Sequence, residues 1–273
     1  MTVIPIRRVT GADVADVVAS ADFAVLPVGA IEWHGPHLPL GTDTILADGF
    51  ADALDGGDWT AVRYPTVSLT AVPGQTRHYP GTVAVRPDTM VDYLSQVLLG
   101  IARNGFRRVL VLNAHDANMS TARAAMEWVS GELPVSILLA NWFQLVPWTE
   151  TAEILGPGPA RGHGGAFETA GVLAFDPETV RLDGVDDLPP RPRLQTADHV
   201  LVESHPAPWQ GWSGRLSMVT QDGADEIRRR AERQLHALVA EWLARPEPES
   251  PTTGVPGPHE LERPATRGRR ENG

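Results

Sequence analysis

Short continuous apolar runs alternate along the chain with segments whose apolar residues recur every three to four positions. "FAVLPVGA" (23–30) is a continuous run stopped by glycine, as in a parallel strand buried on both faces. From Thr44, residues Ile45, Leu46, Phe50 and Leu54 recur at helical spacing, and Asp43 or Thr42 could cap that helix. "WTAVRYPTVSLT" (59–70) is rich in strand formers. "PDTMVDYLSQVLLGIARNGF" (87–106) predicts a helix with Pro87 and Asp88 at its start and Gly105 at its end. "FRRVLVLNAHDAN" (106–118) predicts a central strand running into a polar loop, followed by a helix over 119–133 and a strand over 134–143. "AFETAGVLAF" (166–175) predicts a short apolar helix holding one acid, and residues 223–246 an amphipathic C-terminal helix. The alternation implies α/β: a mostly parallel sheet with helices on both faces. Such sheets bind ligands beyond the carboxyl ends of their strands.

Two segments break the pattern. Residues 184–215 are rich in Pro, Trp and Asp with little periodicity, as expected of a lid, an insertion or an oligomer contact. From Pro246 the chain has too few apolar residues to pack, so the expected organisation is one domain over 1–245 and a disordered tail over 246–273.

Composition narrows the chemistry. At 42% hydrophobic and 21% charged residues the chain is ordinary for a globular protein, and its net charge of −11 argues against nucleic acid or an anionic membrane as partner. No segment has the pattern of a signal peptide or the roughly 20 apolar residues of a membrane span, so the expected location is cytoplasmic. Cysteine is absent, which removes disulfides, a thiol nucleophile and thiolate ligands; a metal would be held by His, Asp and Glu.

Such residues gather where strands end. In "VGAIEWHGPHLPLGTDTILAD" (28–48), Glu32 and His34 are two apart, so in extended chain both face one way. Asp43 follows a turn that would swing it back toward them, although an Asp before "TILAD" also makes a good helix cap. His115 in "NAHDAN" ends the second strand; Asp116 beside it suits a turn or a cap, and Asn113 or Asn118 could orient the loop. Glu168, inside an apolar stretch, needs a partner, which a metal or an arginine could supply. His163, in the glycine-rich loop "RGHGG", suits a proton carrier. His78 could line a substrate pocket or lie on the surface. These residues make a nitrogen and oxygen site suited to Zn²⁺ or Mn²⁺, with Fe²⁺ also compatible. Five ligands exceed the needs of one catalytic zinc, whereas two ions sharing a carboxylate use them all. Two such ions would hold a bridging hydroxide and polarise a carbonyl, which is equipment for hydrolysing an amide-type bond.

"VGAIEWHGPHLPLGTDT", "HYPGT", "NAHDAN" and "HGGAFETA" resemble, in order and spacing, the motifs of the creatininase family of amidohydrolases over roughly residues 20–240. The resemblance implies a three-layer α/β/α sandwich, two divalent ions with zinc first in expectation, and a homo-oligomer, typically a hexamer. It places metal ligands at Glu32, His34, Asp43 and His115, with Asp43 bridging, and the general acid/base at His163. The chain also departs from creatininase proper. Where that enzyme has a glutamate ligand, two residues past the third-motif histidine, this chain has Ala117, so Glu168 is expected to complete the second ion. Pro159 and Ala160 replace a Trp-Asp pair used on substrate, which argues against creatinine. "GWSGRLSM" (211–218) stands where relatives have "GVxGDP", which weakens assignment to the peptidase and deformylase branches. Trp33, His78, Asp116 and Trp142 are the expected substrate-pocket residues. The expected function is hydrolysis of a cyclic or linear amide in a small molecule. The alternatives are a peptidase-like, ester or carbon–carbon hydrolase and a non-catalytic member. His37 is expected to support the site and Asp48 to lie outside it.

Overall fold

The structure is a computed structural model that describes residues 2–156, 160–189 and 209–248. Pro159, the middle of the 184–215 segment and the tail beyond residue 248 fall outside the described residues. Five strands form one sheet in the order β1 (Val3–Pro5), β3 (Ala61–Arg63), β2 (Phe23–Val28), β4 (Arg108–Asn113) and β5 (Ser136–Asn141), all paired in parallel. Seven α-helices accompany them among the described residues: α1 (Val14–Ser20), α2 (Thr42–Asp52), α3 (Pro87–Arg103), α4 (Asn118–Glu132), α5 (Trp148–Leu155), α6 (Ala166–Phe175) and α7 (Gln221–Leu243).

The two apolar runs form the centre of the sheet because both their faces are covered. Phe23 and Val25 of β2, with Leu110 and Leu112 of β4, pack against α2, α6 and α7. Ala24, Leu26 and Val28, with Val109 and Val111, pack against α3 and α4. The result is the three-layer α/β/α sandwich, and all six residues of each of these strands are buried. The 59–70 segment departs from expectation. Only Ala61–Arg63 pairs as a strand, because Pro65 has no N–H to continue the ladder; a single further bridge joins Val67 to Val28. The edge strand β1 (3 residues) and helices α1 (7 residues) and α5 (8 residues) are too short for their patterns to stand out in the sequence.

Strand order positions the site. After β2 the chain crosses through α2 to β3 on one side; after β3 it returns through α3 to β4 on the other. The carboxyl ends of β2 and β4 therefore flank the point where the winding reverses, the crevice in which open α/β sheets bind ligands. Among the described residues no helix is long and apolar enough to cross a membrane.

Candidate metal centre at the switch point of the sheet

The loop after β2 brings three donors to this crevice. Gly29 makes it possible: a Cβ there would lie 2.7 Å from the backbone of Thr44, so only glycine lets the start of α2 approach the end of β2. Asp43 thus sits in the first turn of α2, which begins at Thr42. It does not cap the helix as the sequence allowed; its carboxylate turns inward, 3.3 Å from His34 Nε2 and 3.0 Å from His115 Nδ1. Glu32 Oε2 lies 3.2 Å from the same His115 nitrogen. From the N-terminal turn of α6, Glu168 brings Oε2 to 3.8 Å from His34 Nε2. No arginine pairs with Glu168 among the described ion pairs; the arginine nearby in sequence, Arg161, donates instead to the carbonyls of Phe143 and Val146.

Backbone carbonyls set the tautomers of the two histidines. His34 Nδ1–H donates to the Glu32 carbonyl at 3.0 Å, and His115 Nε2–H donates to the Ala71 carbonyl at 3.1 Å. The nitrogens that face the carboxylates therefore carry lone pairs in the neutral rings. Glu32 Oε2, His34 Nε2 and both Asp43 oxygens are buried without a hydrogen-bond partner. Lone pairs thus confront lone pairs at 3.0–3.3 Å, at positions 0–4% exposed. Such an arrangement is stable only with protons or a cation between the groups.

The donors divide into two groups that fit divalent ions. Glu32, Asp43 and His115 form one, and His34, Asp43 and Glu168 the other; within each, the donor atoms lie within 4.8 Å of one another. Asp43 belongs to both. Imidazoles oriented by outer hydrogen bonds and anionic carboxylates suit Zn²⁺ or Mn²⁺. A further group of this span joins Glu32, His34 and His163.

Protons shared between these groups meet the same need as a cation. Burial works against charge on His34, yet Asp43 first, then Glu168 and Glu32, carry its pKa up to about 10. The same balance, led by Asp43 and Glu32, carries His115 up to about 9. Despite burial, the two histidines hold Asp43 far below the usual carboxylate range. Glu168 goes the other way, pushed up to about 7 by burial. Burial also lowers His163 to about 4, so its ring is neutral at physiological pH. That ring stacks on His34 with centroids 4.1 Å apart and donates from Nε2 to the Trp33 carbonyl at 2.6 Å.

The supports were mostly silent in the sequence. Thr76 is buried and donates its hydroxyl to Glu32 Oε1. Gly164 N–H donates to Glu168 Oε2 at 2.6 Å. Asn113 and Asn118 brace the His115 loop, with Asn113 Nδ2 donating to the His115 carbonyl at 2.8 Å and Asn118 Nδ2 to the Gly29 carbonyl at 3.0 Å. A threonine in a turn has no periodic signature, though Thr76 precedes the noted "HYPGT".

The expected pocket residues separate. Trp33 is half-buried beside the site, stacked on Tyr79 at 5.5 Å. Asp116 is exposed in the turn after His115, its carbonyl accepting from Met119 N–H. His78 is exposed and lines a surface cavity of about 290 Å³ with Arg77 and Arg86, apart from the metal donors. Trp142 corrects the expectation outright: it is 0% exposed, stacked on Phe167 at 4.5 Å in the core between sheet and helices. Asp48 pairs with Arg63 and Thr66, outside the site.

A sequence model of the creatininase family, described as creatinine amidohydrolase, matches residues 7–244. The chain is similar to a 3-dehydro-scyllo-inosose hydrolase of Thermotoga maritima, at 30% identity over 173 residues, or 62% of this chain and 55% of that protein. It is similar to a creatinine amidohydrolase of Pseudomonas putida, at 28% identity over 64% of this chain and 73% of that protein. It also resembles a mycofactocin precursor peptide peptidase of Mycolicibacterium smegmatis, at 28% identity over 58% of this chain and 60% of that protein. The chain therefore spans little more than half the length of the Thermotoga relative. Its fold is that of a solved manganese creatininase, with a TM-score of 0.77 at 22% identity over 89% of this chain and 100% of that one. A mutant creatininase of Zn-Zn type gives a TM-score of 0.76 over 90% of this chain and 100% of that one, also at 22% identity.

Proposed function

The chain belongs to the creatininase family, and from that premise we propose that it is a metal-dependent hydrolase cleaving an amide-type C–N bond in a small molecule. One observation carries this reading: Asp43, buried and without a hydrogen-bond partner, belongs to two of the three three-residue donor groups and joins them. Two divalent ions bound there, zinc or manganese, would supply the Lewis acidity to polarise a carbonyl and to make hydroxide available at neutral pH. Glu32, Asp43 and His115 would hold one ion, and His34, Asp43 and Glu168 the other. His163 is the proton carrier. Neutral at the start because burial lowers its pKa to about 4, it takes the proton that water loses. As a strongly acidic imidazolium it then passes that proton to the departing nitrogen. Trp33, stacked on Tyr79 and joined through its carbonyl to His163, walls the approach to the site. In the cell the working form is a cytoplasmic homo-oligomer whose 1–245 segment carries the whole site.

A second reading is hydrolysis, with the same donors, of a peptide bond in a modified peptide or of an ester or carbon–carbon bond in a metabolite. It is favoured by relatives named for an inosose hydrolase and a peptide peptidase, at 30% and 28% identity. Metal analysis combined with a substrate panel tests both. The expected result is two equivalents of divalent metal and hydrolysis of amides, abolished by chelation and restored by Zn²⁺ or Mn²⁺. Protein that neither holds nor acquires a divalent metal ends the proposal; turnover confined to peptides, esters or carbon–carbon bonds selects the second reading.

A further inference from the structure

His37 is a buried histidine that the chemistry above does not use. It is 1% exposed, and its Nε2–H donates to the Gly164 carbonyl at 2.8 Å. Its Nδ1 is buried without a partner, so the ring is neutral and carries its single proton on the nitrogen facing Gly164. Gly164 lies between the proton carrier His163 and the rest of the α6 approach, and its own N–H donates to Glu168 Oε2. The residue is held in the left-handed region at φ +62°, and a Cβ on it would lie 2.5 Å from the His34 carbonyl. The loop after β2, which bears His34, therefore runs in contact with the loop that leads into α6, whose first turn bears Glu168. Trp212 backs this junction, its ring edge-on to His37 with centroids 4.8 Å apart.

We propose that His37 is the positioning residue of the second ion site: through Gly164 it fixes the separation of His34 and Glu168. This rests on the two-ion reading. The first ion's ligands, Glu32 and His115, are held instead by Thr76 and the Ala71 carbonyl, so losing the His37 bond should spare them.

Two substitutions of nearly equal shape separate positioning from mere filling. In His37→Gln the amide nitrogen falls near the place of Nε2 and can still donate to Gly164. In His37→Asn the amide nitrogen is one bond short of it. The full chain, freed of metal, is titrated with Zn²⁺ against a chromogenic chelator. Wild type is expected to take up two equivalents. His37→Gln should match it within a few-fold, while His37→Asn keeps the first ion and binds the second 10–100-fold more weakly, the range for lost outer-shell support. His37→Leu should behave like Asn; if it fails to fold, the Gln and Asn pair decides. Equal binding of both ions by Gln and Asn overturns the role of His37 while the two-ion site stands. A wild type that binds fewer than two ions overturns both.

Discussion

The two halves of the candidate site are built from the same kinds of ligand, yet they differ in what holds them. The half formed by Glu32 and His115 lies against the sheet, at the ends of its two central strands, and is supported by Thr76 and the Ala71 carbonyl. The half formed by His34 and Glu168 joins the loop after β2 to the first turn of α6, with the His37–Gly164–Glu168 chain of hydrogen bonds beside it. The carboxylate they share and the one that belongs to the second half alone respond oppositely to burial. Asp43, between two histidines at 3.0 and 3.3 Å, stays ionised; Glu168, with its one histidine at 3.8 Å and like charges beyond it, is pushed up to about 7. The lesson is that burial alone does not set a ligand's charge. The number and distance of its counter-charges decide whether the site is ready for an ion or must be completed by one.

Removing the residue that both halves share should give the largest effect. Asp43→Ala is expected to abolish binding of both ions and lower kcat by on the order of 10³-fold or more, read by metal content and steady-state kinetics. If one ion remains with most of the activity, Asp43 is not shared. Next in size, His163→Ala should leave both ions bound and lower kcat by about 10²–10⁴-fold, the range for a lost proton carrier. Loss of metal in that variant would make His163 a ligand, as its grouping with Glu32 and His34 permits.

A smaller substitution separates the halves. Thr76→Val keeps the shape and removes the donor to Glu32 Oε1. It should weaken the first ion by about 10–100-fold and leave the second unchanged, the mirror image of His37→Asn. Isothermal titration with Zn²⁺ resolves the two steps. Equal weakening of both would mean that the halves share their supports.

How much of this was legible follows from what each feature writes into the chain. The central strands were plain because both faces of β2 and β4 are buried, leaving unbroken apolar runs. Glu32 and His34 stood out because charged and titratable side chains do not otherwise end such runs side by side. Glu168 stood out as an acid inside an apolar helix. Asp43 was ambiguous, since a capping carboxylate and an inward-turned one occupy the same position in sequence; the distance to His115 separates them. Trp142 misled for a related reason. An aromatic residue at a strand end reads alike whether it faces a cavity or the core, and here Phe167 and Phe50 stack against it. Thr76 and the carbonyls of Ala71 and Gly164 could not be read at all, because their roles depend on contacts between distant loops and not on residue type.

The smallest expected effect is a pH dependence, and it tests the two halves together. In the metal-free protein His34 and His115 titrate above their ordinary value of 6.5, near 10 and 9. Their contribution to stability is therefore complete below pH 6.5 and is lost as the pH rises through those values. Glu168 is raised from 4.5 to about 7, so its burial costs stability increasingly as the pH climbs from 4.5 through 7. Below pH 6.5 this loss is opposed by His37 and His163, whose pKa values burial lowers to about 4, so the metal-free protein should become less stable from about pH 7 to pH 10. Metal binding has the opposite sign, because each ligand must give up its proton. Below pH 7 the first ion displaces the His115 proton, whereas the second displaces those of His34 and Glu168. Its affinity should therefore rise by up to about two decades per pH unit against about one for the first. The gap in Tm between zinc-loaded and chelator-treated protein should widen steadily with pH. Calorimetric titration in buffers of different ionisation enthalpy counts the protons released at each step. Equal proton release by both ions would remove the distinction between a half that is ready for its ion and a half that the ion completes.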